Sequence, residues 1–161
     1  MSKVAIGCDP NANELKEVLK DHLSKMGVDF DDYGSDDPIY ANVAFEVVEA
    51  VAGREHERGI LLCSTGIGMC IAANKVSGVY AALCSDTYSA IRARKSNNAN
   101  ILTFRAWLLG PELAKEIVTK WLESEYIPGG CSEPKIQRIY EYEREHQNRN
   151  YGESYVRTID G

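Results

Sequence analysis

Five short apolar runs, each followed by a stretch with helical spacing, constrain this chain more than any other feature. Val4-Ala5-Ile6-Gly7-Cys8 is apolar throughout and reads as a buried strand. Leu15, Val18, Leu19, Leu23 and Met26 then fall at helical spacing, and Gly27 ends that helix. Residues 28–33 alternate as a second strand. Phe45, Val48 and Val51 mark a second helix, closed by Gly53. Residues 59–63 form a third strand, and an apolar helix is predicted over 69–76. Residues 79–84 and 100–104 read as strands four and five, with a helix over 87–96 between them. A last regular helix is predicted over 111–126, with Pro111 at its start. Strands alternating with helices in this way build a parallel sheet covered on both faces. Five of them give a three-layer α/β/α sandwich. Ligands of such sheets bind outside the carboxyl ends of the strands. Those ends are Asp9, the turn at Gly34, the stretch 63–68, Ser85-Asp86 and Phe104-Arg105.

The chain has 161 residues, enough for one well-packed domain. Residues 1–140 are read as that domain and 141–161 as a C-terminal arm. Ile136, Ile139 and Tyr140 suggest a helix after Gly129-Gly130. The polar, tyrosine-rich residues beyond it are either an arm packed on a neighbouring subunit or a solvated tail. The net charge of -6 argues against non-specific nucleic-acid binding, and no apolar run approaches a membrane span. The first residues read as a strand entering at once, not as a signal peptide. The five cysteines are odd in number and contain no CxxC pair. That points to a reducing cytoplasm, without a disulfide framework or zinc site.

The stretch Cys63-Ser64-Thr65-Gly66-Ile67-Gly68-Met69 carries the most chemistry. A strand ends at a thiol, and a glycine turn opens a helix. Glycines let a ligand approach backbone N–H groups, and a helix start favours an anion there. Thiols in such a position ionise more readily and serve as bases. Taken alone, this pattern is better read as a cysteine used for packing and glycines used for a turn. It is neither a Walker loop nor a full GxGxxG.

The run 59–76, GILLCSTGIGMCIAANKV, closely resembles type-B ribose-5-phosphate isomerases and their galactose-6-phosphate and tetrose-phosphate relatives. So do AALCSDTYSA at 81–90, NNAN at 97–100 and GPELA at 110–114. The resemblance runs in order over roughly residues 3–140. It implies a Rossmann-like fold and aldose–ketose isomerisation of a sugar phosphate through a cis-enediol. It also implies a homodimer or homotetramer with sites shared between subunits, and no metal or organic cofactor. By motif position, Cys63 becomes the base and Thr65 the acid or hydroxyl relay. Ser64, Gly66, Ile67 and Gly68 line the enediolate hole. Asp9 and Asn97 hold sugar hydroxyls, and Tyr40 is a substrate-contacting tyrosine.

Departures from that pattern gather at the site. Pro10 and Ser85 stand where the resemblance leads one to expect histidines, the second assigned to ring opening. Trp107 and Cys131 stand where it leads one to expect phosphate-binding arginines. Arg105, Lys135 and Arg138 are therefore the candidate phosphate cations, each equally readable as a solvated surface charge. His22, His56 and His146 fall away from the strand ends and are expected at the surface. A tetrose 4-phosphate cannot close a furanose ring, so losing a ring-opening histidine costs little with that substrate. The segments Tyr40-Ala41-Asn42 and Ser96-Asn97-Asn98-Ala99 are also similar to the tetrose-phosphate branch. The alternative is a non-catalytic or co-catalytic subunit of a hetero-oligomeric isomerase, favoured by the lost polar groups and opposed by the retained Cys63 and Thr65.

Overall fold

The computed structural model describes residues 3–147. Five parallel strands lie in the order β2-β1-β3-β5-β4. They are β1 (Val4–Cys8), β2 (Phe30–Asp32), β3 (Arg58–Cys63), β4 (Ala81–Leu83) and β5 (Ile101–Arg105). The helices are α1 (Asn13–Lys25), α2 (Tyr40–Ala52), α3 (Ile67–Ala73), α4 (Thr87–Asn97), α5 (Pro111–Leu122) and α6 (Glu133–His146). The α/β/α sandwich read from the sequence is present.

Side-chain alternation divides the core in two. Val4, Ile6, Ile60, Leu62, Leu102 and Phe104 pack under α1, α4 and α5. Ala5, Leu61, Cys63 and Ile101 pack under α2 and α3. The strand centres are buried on both faces, as a parallel sheet requires.

Several boundaries differ from the predicted ones for identifiable reasons. Strand β2 starts at Phe30, not 28, because the Val28 N–H is taken by the Leu23 carbonyl in the turn that ends α1. Strand β4 is only three residues long. It is a sheet edge, and Asn74 bonds both the N–H and the carbonyl of Ala81, which satisfies part of that edge. Helix α5 stops at Leu122 rather than 126. Arg58 reaches its last turn and donates to the carbonyls of Trp121, Leu122 and Ser124, groups that would otherwise lack partners. Helix α6 runs through position 140 to His146, so it carries the first part of the expected arm. The rest of that arm lies outside the described residues.

The expectation of a surface role fails for His56. Its side chain is buried, with Nε2 2.8 Å from Asp31 and the ring edge-on to Tyr33. His22 is half-buried and bonded to Thr119. Residue type alone did not reveal these partners, because they come from other elements.

Lys16 is only 1% exposed and its ammonium sits 2.7 Å from Asp32, which Lys20 also contacts at 2.7 Å. Burial by itself would raise the Asp32 carboxyl, but Lys16, Lys20 and the Gly34 N–H outweigh it and hold the pKa at about 2, down from 3.8. A carboxylate depressed in the fold stabilises it at pH values above its unfolded pKa. That contribution is present above about pH 4 and is lost as the pH falls towards 2. Asp32→Asn is expected to lower stability at neutral pH and to flatten the decline between pH 4 and 2, read by urea unfolding across that range.

Candidate active site

Three adjacent strands end in a row of polar groups on one face of the sheet. In the ladders Cys8 pairs with Leu62, and Cys63 pairs with Arg105. The chain stays extended at Asp9, so Asp9 falls one step beyond the β1 pairing, opposite Cys63. Strand parity puts Cys63 with Ala5, Leu61 and Ile101, under α2 and α3. Asp9 and Arg105 follow the same parity. Three buried polar atoms without a partner belong to this face: Asp9 Oδ1, Thr103 Oγ1 and Arg105 Nε. Buried polar atoms are usually paired, and among the described residues the others without a partner are on His56, Arg94, Ser96, Trp121 and Tyr126, away from these strand ends.

Cys63 is 5% exposed, and its sulfur accepts the N–H of Gly66 at 3.1 Å. The turn that delivers it depends on Gly66, whose φ is 74°. A Cβ there would lie 2.7 Å from the Phe104 carbonyl and 2.6 Å from Leu83. The turn is pinned from the other side as well: Ala106 and Trp107 donate to the carbonyls of Cys63 and Ser64 at 3.0 and 3.1 Å. Thr65 is exposed beside it, its hydroxyl accepting the Ile67 N–H at 3.4 Å.

Tyr40 is the first residue of α2, and its phenol lies over Gly68, where an added Cβ would meet the hydroxyl at 2.6 Å. The Asp9 carboxyl is pushed up by burial, with the N–H groups of Ala12 and Asn11 pulling the other way. Burial raises Cys8 and Cys84 to about 12, which leaves both protonated at neutral pH.

Asp9, Tyr40, Cys63, Ser64, Thr65, Gly66, Ile67, Gly68 and Arg105 thus come together at the carboxyl ends of β1, β3 and β5. The Gly66 N–H is committed to the sulfur and the Ile67 N–H to the Thr65 hydroxyl. Asn97, Lys135 and Arg138 are elsewhere in the chain. Asn97 is at the end of α4, near the amino end of β5, and donates to the Arg92 carbonyl. Helix α6 docks at the amino end of β4, where Glu143 accepts the Tyr80 hydroxyl at 2.6 Å and Tyr140 accepts the Asn98 amide. Lys135 is exposed on that helix, and Arg138 pairs there with Glu141 and Glu145. Thr103, buried beneath Arg105, was missed by sequence reasoning. Only the strand register reveals it.

The model of the Ribose/Galactose Isomerase family matches residues 4–139. The chain belongs to this family. A D-erythrulose-4-phosphate isomerase of Pectobacterium atrosepticum is 50% identical over 153 residues, covering 91% of this chain and 100% of that protein. Ribose-5-phosphate isomerase B of Escherichia coli is 42% identical over 153 residues, covering 93% and 100%. Among solved structures, a ribose 5-phosphate isomerase from Thermotoga maritima superposes with a TM-score of 0.82 at 43% identity, covering 87% of this chain and 98% of that one. The isomerase turn between β3 and α3 gives a direct test of the packing around it. Gly66→Ala is expected to cost about 1–3 kcal/mol, the weight of a strained backbone position. Gly68→Ala should cost clearly less, because the half-exposed Tyr40 ring can swing aside. Denaturant unfolding of the two variants checks the order.

Proposed function

We propose that this chain interconverts the aldose and ketose forms of a short sugar phosphate, with Cys63 as the carbon base. The chain is a sugar-phosphate isomerase, and the observation that carries the mechanism is the Gly66 N–H donating to the Cys63 sulfur at the end of β3. The Cys63 thiolate takes the C2 proton of the aldose. The electrons move into a cis-enediol, and the proton returns to C1 to give the ketose. Thr65, exposed beside the sulfur, passes the hydroxyl proton between O1 and O2. The Gly68 N–H donates to the oxygen that gains charge, and the Ile67 N–H joins it when the Thr65 hydroxyl turns to the substrate. Asp9 and Tyr40 hold the sugar hydroxyls. This chemistry runs on a base and hydrogen-bond donors.

The substrate we favour has four carbons. Among the described residues the histidines lie on α1, before β3 and on α6, and none is at a strand's carboxyl end. Without a ring-opening group, a sugar that is already linear is the easier substrate, and a tetrose 4-phosphate is such a sugar. The 50% identical relative named D-erythrulose-4-phosphate isomerase supports this reading.

Asn97, Lys135 and Arg138 lie too far along the fold to join Cys63 in the same chain. We assign them to the site of a neighbouring copy in a homo-oligomer. Ile67 and Ile71, exposed one turn apart on α3, offer an apolar surface beside the site for that neighbour. The free state of all five cysteines favours a reducing cytoplasm.

Cys63→Ser is expected to leave folding and substrate affinity nearly intact and to lower kcat by roughly two to four orders of magnitude, the weight of a general base. Retention of more than about a tenth of kcat would point to a carboxylate such as Asp9 instead. Wild-type kcat/KM is expected to be at least about tenfold higher on a tetrose 4-phosphate than on ribose 5-phosphate. The purified chain alone should be active, which a co-catalytic subunit would not be. Light scattering at micromolar concentration should show a dimer or larger, and a monomer would overturn the shared site.

A further inference from the structure

We propose that Arg105 grips the substrate phosphate inside the subunit's own site and thereby sets the length of sugar accepted. This deepens the isomerase reading above and rests on it. Arg105 is the only cationic side chain at the carboxyl end of any strand among the described residues. The other buried cations have ion pairs: Lys16 is held by Asp32, and Arg58 and Arg94 share Glu125, although Arg94 Nε is also without a partner. Arg105 has no ion pair with any described residue, and its Nε is buried without a partner. A guanidinium half-buried in that state carries a cost unless an anion completes it.

Its place in the sheet fixes which anion fits. Arg105 is the direct ladder partner of Cys63, one strand away and on the same face. Neighbouring strands lie about 4.8 Å apart. The carbons that exchange the proton must sit against the Cys63 sulfur. A phosphate held by Arg105 is therefore close to those carbons along the substrate. In a tetrose 4-phosphate four bonds separate C2 from phosphorus, and each further carbon adds one. A longer sugar has to fold back or abandon the Arg105 contact. The forked donor suits the phosphate oxygens, where lysine offers only a point charge.

The test compares wild type, Arg105→Gln and Arg105→Lys on D-erythrulose 4-phosphate, free D-erythrulose and D-ribose 5-phosphate. In the Gln variant kcat/KM on the tetrose phosphate should fall roughly 10- to 100-fold more than on the free tetrose, mainly through KM, as expected for lost hydrogen bonds to a charged group. The preference for tetrose phosphate over pentose phosphate should shrink in parallel, and competitive inhibition by inorganic phosphate should weaken. Lysine should recover part of the affinity without the full length preference. Equal losses on phosphorylated and free sugar would overturn the phosphate grip. An unchanged tetrose-to-pentose ratio would overturn the length-setting role. A wild-type enzyme active only on the pentose phosphate would overturn the four-carbon reading and the length-setting role together. Comparison of pentose phosphate with free pentose would then still decide the grip.

Discussion

The parallel pairing of β1, β3 and β5 is the constraint on which the site depends. Backbone hydrogen bonds fix Cys8 against Leu62 and Cys63 against Arg105. A slip of one residue in either ladder would turn the affected side chains to the opposite face. Asp9, Cys63 and Arg105 could then no longer share one surface. The register is held by two apolar layers, one under α1, α4 and α5 and one under α2 and α3. The position of a thiol, a carboxyl and a cation is thus set by packing far below them, and none of the three has to stabilise the fold.

That division explains why the site tolerates unpaired polar atoms. Away from the site the main buried charges are paired: Arg58 closes the end of α5, and Lys16 and Lys20 neutralise Asp32. At the carboxyl ends of the strands, Asp9 Oδ1 and Arg105 Nε are left open. The glycine turn joins the two regimes. Gly66 is required by a left-handed φ and by the Phe104 carbonyl pressed against it, and the same turn aims its N–H at the Cys63 sulfur.

The layered fold was legible because the buried runs and the helical spacings have different periods. The loop from Cys63 to Gly68 stood out through its resemblance to a family motif, because its thiol, hydroxyls and glycines taken alone fit a packed cysteine and a turn. Two kinds of feature were not. Cross-element partners, such as His56 with Asp31, depend on distances between segments remote in sequence. Short or edge elements, such as β4, depend on which side chain takes the backbone bonds, and Asn74 could not be assigned that task from its neighbours alone. The separation of Asn97, Lys135 and Arg138 from Cys63 was hidden for the same reason. Motif resemblance groups residues by function, whereas the chain topology sends α4 and α6 to the other end of the sheet.

The central claim is that the Cys63 sulfur carries the proton between two neighbouring carbons. The most direct measurement follows proton exchange at those carbons by NMR in deuterium oxide, comparing wild type with Cys63→Ala at saturating substrate. The account predicts deuterium appearing at C1 and C2 with wild type and none above the uncatalysed rate with the variant, while the variant still binds the sugar phosphate. Exchange continuing in the variant at a rate near that of wild type would contradict it and would move the base to another group on the same face.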